Sequence, residues 1–164
     1  MITLHTNFGD IQVELNQDSA PVSAKNFRRY AKEGFYNGTI FHRVIDGFMI
    51  QGGGLTKDLE EKTTRMPIVN EANRGLKNIK GSIAMARLEA PHSATAEFFI
   101  NLTDNACLDH TATTNKGWGY AVFGQVTVGM DVVKKIAKVT TESSKGYDDV
   151  PVEAIVIESV TVTP

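Results

Sequence analysis

The chain has 164 residues, a formal net charge of −2, 41% hydrophobic and 22% charged residues. That is the size and composition of one ordinary globular domain, without the basic excess that nucleic-acid binding needs. The single cysteine, Cys107, excludes an internal disulfide framework, and no apolar run reaches the about 18 residues that span a bilayer, so no membrane partner is expected.

The opening MITLHTNFGD has no basic region followed by an apolar core. No secretory signal is read there, and a cytoplasmic, reducing location is expected. The glycosylation-like triplets at Asn37 and Asn101 are then chance matches. Apolar residues alternate over Ile2–Thr6 and Ile11–Leu15 around a turn at Asn7-Phe8-Gly9-Asp10, which predicts a β-hairpin. Pro21 suits the first turn of a helix. Val22, Phe27, Tyr30 and Ala31 recur at near-helical spacing, and Gly34 is placed to end it.

Residues 41–54, FHRVIDGFMIQGGG, follow. Arg43 sits in an apolar, strand-like run; Ile45-Asp46-Gly47-Phe48 turns; a second run carries Phe48, Met49 and Gln51. The pattern reads as a buried guanidinium beside an aromatic, a thioether and an amide, which is costly unless the charge is paired. Gly52-Gly53-Gly54 reads as a bend or a close backbone approach. Residues 55–80 form a long irregular excursion in which Asn70, Asn73, Gly75 and Asn78 support turns. Lys57, Asp58, Glu60, Glu61 and Lys62 look like a solvated face.

Strands are predicted at 82–86, 97–101 and 120–126, with a small-residue loop over 88–95. A helix is predicted over 131–138 with Val132, Val133 and Ile136 on one side, and a closing strand region over 152–162. Many short strands with two helices argue for a mainly β barrel or sandwich with the helices as plugs; closure into a barrel would also remove exposed edges.

Side chains alternate faces along a strand, so Met49 and Gln51 share a face, and Arg43 joins them if pairing sets it opposite. With Phe99 and Leu108 as walls, the sum is an apolar pocket holding a few fixed polar groups. On spacing alone a second account stands beside it: Phe48, Met49 and Phe99 are core, and Arg43 is a surface charge on a packed stem.

FHRVIDGFMIQGG resembles the signature of the cyclophilin family of peptidyl-prolyl cis-trans isomerases. The likeness covers essentially the whole chain, through NFRRYAKEGFYNGTIFHRVI, SIAMAR, EFFIN, VFGQV and GMDVV, and HSATAEFFIN is similar to the bacterial cytoplasmic branch. The resemblance implies a closed eight-stranded antiparallel β-barrel capped by two α-helices, with no cofactor. It implies that proline-containing peptides and folding proteins bind on the outer surface. Catalytic roles carry over to Arg43 and Gln51. Substrate-binding roles fall to Phe48, Met49, Ala86, Phe99 and Leu108, with backbone groups near Arg87 holding the peptide main chain.

Three positions depart from the family pattern. Cys107 stands where many eukaryotic members carry the tryptophan that helps bind cyclosporin, so weak cyclosporin binding is expected. Tyr120 stands where relatives have a histidine beside the pocket. Glu97 replaces a groove-lining glutamine, and its carboxylate is open to pairing with Arg43 or Arg87.

His5, His42, His92 and His110 lack metal-ligand spacing, and no metal is expected. His42 is expected to pack behind the strand presenting Arg43, and His92 to sit in a loop. Cys107 reads as a small, partly buried thiol, and Ser93 and Thr95 as turn caps. The leading function is cofactor-free isomerisation of X–Pro bonds by a monomer. A proline-binding module without catalysis and a generic chaperone are the competing classes.

Overall fold

The computed structural model describes residues 1–164. Eleven strands and two α-helices follow in chain order: β1 (Ile2–Thr6), β2 (Gly9–Leu15), α1 (Pro21–Lys32), β3 (Thr39–Ile40), β4 (Arg43–Ile45), β5 (Met49–Gly52), β6 (Ser82–Met85), β7 (Phe98–Asn101), β8 (Val122–Val128), α2 (Met130–Ala137), β9 (Thr141–Ser144), β10 (Tyr147–Pro151) and β11 (Val156–Val162). Neither helix is long and apolar enough to cross a membrane.

Nine strands form one antiparallel sheet in the order β3-β11-β1-β2-β8-β6-β7-β5-β4. Its two ends, β3 and β4, are separated in the chain only by Phe41 and His42. On one flank of this stretch Phe41 N–H donates to Ile155 O (3.0 Å); on the other Ile40 N–H donates to Leu55 O (3.0 Å) and the Ile40 carbonyl accepts from Gly53 N–H (3.3 Å). The sheet therefore curls until its first and last strands are successive pieces of one segment. The mainly β fold with two helices stands as expected. The strand count differs: the expected run from Phe41 pairs only from Arg43 on, the two-residue β3 precedes it, and the β9–β10 hairpin adds a separate two-stranded sheet. That hairpin escaped sequence reading because TESSKGYDDV is polar and lacks an apolar alternation.

Gly52 serves the close approach. A Cβ there would meet Phe41 Cα at 2.8 Å and collide with the Ile40 carbonyl, so only glycine lets β5 reach this stretch.

The inner face of the sheet is a core of 25 buried residues. At its centre the Phe27 ring lies 5.0 Å from Phe123, 5.1 Å from Tyr36 and 5.2 Å from Phe98, the last edge to face. Pro21 opens α1 and Gly34, at φ 75°, follows its end. Val22 is 39% exposed rather than packed; Ser23 and Ala24 take the buried places. The N-cap Ala20 offers no side-chain acceptor. Glu71 supplies it from 48 residues away, accepting from Ser23 N–H (2.7 Å), Ser23 Oγ–H (2.8 Å) and Val22 N–H (3.2 Å). The excursion over 55–80 is thus anchored. Lys62, expected in solvent, donates to the Phe35 carbonyl and lies 4.8 Å over the Phe35 ring.

Candidate active site

The outer face of the same sheet carries a second, smaller apolar cluster. Met49, Ala84, Phe99 and Val122 are its buried members, with Ile45, Phe48, Leu76, Ala86, Leu108 and Tyr120 packed against them. Six residues predicted from the sequence, Phe48, Met49, Ala86, Phe99, Leu108 and Tyr120, are all here. Strand pairing explains why. Arg43 faces Gln51, Gln51 faces Phe99, Phe99 faces Ala84, and Ala84 faces Val122. Directly paired residues project to the same side of a sheet. One cross-strand row therefore runs from a guanidinium through an amide to an apolar floor. Ala84 and Val122 were missed in the sequence, although counting back by two from Ala86 reaches Ala84.

Arg43 is exposed, not buried, and this corrects the expectation from sequence. A three-residue edge segment presents it: Val44 packs inward while Arg43 points out. Its Nη1 donates to Gln51 Oε1 across the hairpin at 3.4 Å.

Glu97 pairs with neither arginine. Its Oε1 accepts from Gln51 Nε2 at 3.1 Å and lies 3.3 Å from His42 Nε2. Burial raises the Glu97 carboxyl above its ordinary value; the Gln51 donor opposes the shift and the nearby Glu61 charge adds to it. His42 is 5% exposed behind Arg43, as expected, with its ring edge-on to Tyr147 at 5.8 Å. Burial, then the Arg43 charge, lowers its pKa to about 4, so the ring is neutral at pH 7.

Arg87 is committed to the loops. Its guanidinium donates to the carbonyls of Gly119 (2.9 Å), Leu88 (3.0 Å), Glu89 (2.9 Å) and Asn115 (2.8 Å), and it stacks 4.8 Å over the Tyr120 ring. Tyr120 in turn meets Phe99 edge to face at 5.6 Å. The backbone N–H and carbonyl of Arg87 have no partner within the chain.

The short 3-10 turn Ala106–Leu108 brings Leu108 to the cluster, while Cys107 beside it is exposed rather than partly buried. Buried amides hold this rim. Asn105 Nδ2 donates to Phe48 O (2.9 Å) and to Asn101 Oδ1 (2.8 Å), and Asn78 Nδ2 donates to Leu108 O (3.2 Å) and Tyr120 O (3.2 Å). Sequence reading missed these supports. The signal available was Asn101, an amide ending an otherwise apolar strand. Ser93 does cap a turn, accepting from Leu88 N–H at 2.8 Å. His92, in its loop, accepts from Asn70 N–H at 2.9 Å and lies edge-on to Trp118.

Beside the cluster lies a cavity of about 370 Å³ whose lining includes Gln51, Ala86, Arg87 and Glu97. A larger cleft of about 840 Å³, around Glu14, Asp18, Lys77 and Gln125, contains none of the predicted site residues.

The family model described as cyclophilin type peptidyl-prolyl cis-trans isomerase/CLD matches residues 1–162. The chain is 57% identical over 163 residues to peptidyl-prolyl cis-trans isomerase B of Escherichia coli (strain K12), covering 99% of each chain. It is also 57% identical over 158 residues to peptidyl-prolyl cis-trans isomerase cyp18 of Streptomyces antibioticus, covering 96% of this chain and 95% of that one. Among solved structures, the cyclophilin type isomerase of Cryptosporidium parvum in the presence of the dipeptide Ala-Pro superposes with a TM-score of 0.78 at 25% identity, over 99% of this chain and 98% of that one. With this curled sheet, its two helices and matches over nearly its full length, the chain belongs to the cyclophilin family of peptidyl-prolyl cis-trans isomerases.

Proposed function

We propose that X–Pro isomerisation takes place on the outer face, along the row Arg43, Gln51 and Phe99. The observation that carries this reading is the register that sets a guanidinium, an amide and an apolar floor side by side. Rotation about a peptide bond meets a barrier of about 18–20 kcal/mol because the C–N bond has double-bond character. No bond is made or broken, so the protein need only favour the twisted amide over both planar forms.

As the amide twists, the prolyl nitrogen regains a lone pair. Arg43 donates to that nitrogen through its guanidinium, which offers donors and no acceptor. Gln51 orients Arg43 and bonds the peptide backbone. Phe48, Met49, Phe99 and Leu108 receive the proline ring, with Tyr120 behind Phe99. The unpaired backbone of Arg87, next to Ala86, is free to pair with the substrate main chain. Excluding water from this face strengthens the electrostatic contact.

A rate gain of order 10⁵ corresponds to about 7 kcal/mol of differential binding. One charge-assisted hydrogen bond gives about 1.5–3 kcal/mol. Ring anchoring and restraint of the flanking peptide must supply the rest. The proposed substrates are proline-containing peptides and folding proteins in the cytoplasm; the structure of the Cryptosporidium relative in the presence of the dipeptide Ala-Pro supports the first. A protease-coupled assay on an Ala-Pro-Phe peptide tests the reading. A rate enhancement that falls at least about tenfold in Arg43→Ala is expected, and tight peptide binding without rate enhancement in the wild type would overturn the reading.

A further inference from the structure

Between the exposed Arg43 and the buried His42 lies a polar chain of four side chains. Arg43 Nη1 donates to Gln51 Oε1 (3.4 Å), Gln51 Nε2 donates to Glu97 Oε1 (3.1 Å), and His42 Nε2 approaches that same oxygen (3.3 Å). A guanidinium can only donate and an ionised carboxylate can only accept. Only one orientation of the Gln51 amide therefore satisfies both neighbours, with its oxygen toward Arg43 and its nitrogen toward Glu97. Were the residue at 97 able to donate, the reversed amide would also be satisfied there, and it would turn N–H groups against the guanidinium.

Resting on the proposed role of Arg43, we propose that Glu97 is a positioning residue for catalysis: its carboxylate fixes the Gln51 amide in the one orientation that holds the Arg43 guanidinium over the prolyl nitrogen.

Glu97 is itself held. Its stem lies against Gly54, where a Cβ would stand 2.7 Å from Glu97 Cδ and collide with Cγ, so the third glycine of Gly52-Gly53-Gly54 makes room for this side chain. The surrounding charges leave the carboxylate to Gln51. Lys62 lines the same cavity but turns to the Phe35 carbonyl and ring. Arg87 lines it too, but its guanidinium is spent on four carbonyls. Glu61 is the other acid there, and its charge works with burial to raise the Glu97 carboxyl above its ordinary value. His42 titrates at about 4. Burial raises the Glu97 carboxyl, so lowering the pH protonates it more readily than an ordinary carboxylate, which gives Glu97 a donor and releases the orientation of Gln51.

The test is kcat and KM on a proline tetrapeptide from pH 5 to 8 for the wild type, Glu97→Ala, Glu97→Gln and Arg43→Ala, each checked for folding by circular dichroism. Glu97→Ala is expected to lose about tenfold in kcat, the worth of one positioned hydrogen bond, with KM within about twofold. Glu97→Gln should fall between the two, because its amide oxygen can still accept from Gln51. The wild type should show kcat declining toward pH 5, and Glu97→Gln should be flat. The same acid limb in Glu97→Gln, or unchanged kcat in a folded Glu97→Ala, overturns the proposal while leaving the role of Arg43 standing. If Glu97→Ala does not fold, the pH profile of Glu97→Gln decides alone. Full activity in Arg43→Ala would instead remove the reading on which the proposal rests.

Discussion

Arg43 and Gln51 stand directly opposite each other in the β4–β5 hairpin, with the guanidinium donating to the amide oxygen at 3.4 Å. The contact is long and solvent-exposed, so it adds little to folding stability. Its consequence is directional: it aims a permanent cation along the face that carries Met49 and Phe99.

Replacing Arg43 by alanine should therefore separate activity from stability. The expected outcome is a loss of at least about tenfold in kcat/KM, since one charge-assisted hydrogen bond is removed from the transition state. Stability should stay within about 0.5 kcal/mol, as for most surface substitutions. Urea denaturation beside the peptide assay measures both, and near-normal kcat/KM would sink the assignment.

Glu71 gives the opposite separation. Its side chain is 2% exposed and accepts three hydrogen bonds at the start of α1, and it is not a member of the outer-face cluster. Glu71→Ala leaves those donors unsatisfied and should cost about 2–3 kcal/mol. Activity well below the melting transition should be retained. A stability equal to wild type would show that the helix start does not depend on this cap.

His42 makes stability depend on pH. Its folded pKa of about 4 lies below the ordinary 6.5. Between those values the unfolded chain binds a proton that the folded chain does not, so stability is full above pH 6.5 and falls as the pH drops toward 4. The size is on the order of 3 kcal/mol. Glu97 works with the opposite sign: its raised pKa stabilises the fold at low pH, and that contribution fades as the pH rises through its folded value. It blunts the acid end of the loss. Urea midpoints at pH 7.5 and 5.0 should differ less in His42→Gln than in the wild type; equal differences would count against the assignment.

Cys107 is exposed next to Leu108, at the edge of the apolar cluster. We propose weak cyclosporin binding by the wild type, because this position lacks the indole ring and its N–H donor. Cys107→Trp should tighten binding, read by calorimetry or by inhibition of the isomerase, since an indole adds both contact area and a donor. Unchanged affinity would show that position 107 does not face the ligand.

Much of the site was legible because it lies on strands. Period-two alternation put Met49 and Gln51 on one side, and the turn at 45–48 returned the chain so that Arg43 could join them. The apolar partners Phe99, Leu108 and Tyr120 converge as expected. What misled was the depth of Arg43. A charge in an apolar run looks buried, yet on a short edge segment the alternate side chain faces water. The same limit applies to Lys62, whose neighbours in sequence are solvated while its own ammonium meets Phe35.

The amino-acid sequence by itself determined the local elements: the first hairpin, the Pro21-to-Gly34 helix, the turn inside FHRVIDGFMIQGGG and the strands around Phe99. Those follow from alternation, helical spacing and turn residues, all of which act within a few residues. Only the tertiary structure decided which distant groups share hydrogen bonds. Glu71 caps a helix 48 residues earlier, and Glu97 chooses Gln51 over either arginine. Such choices depend on where a donor and an acceptor come to rest once the sheet has curled, because a hydrogen bond holds only within about 3 Å and no local pattern records that distance.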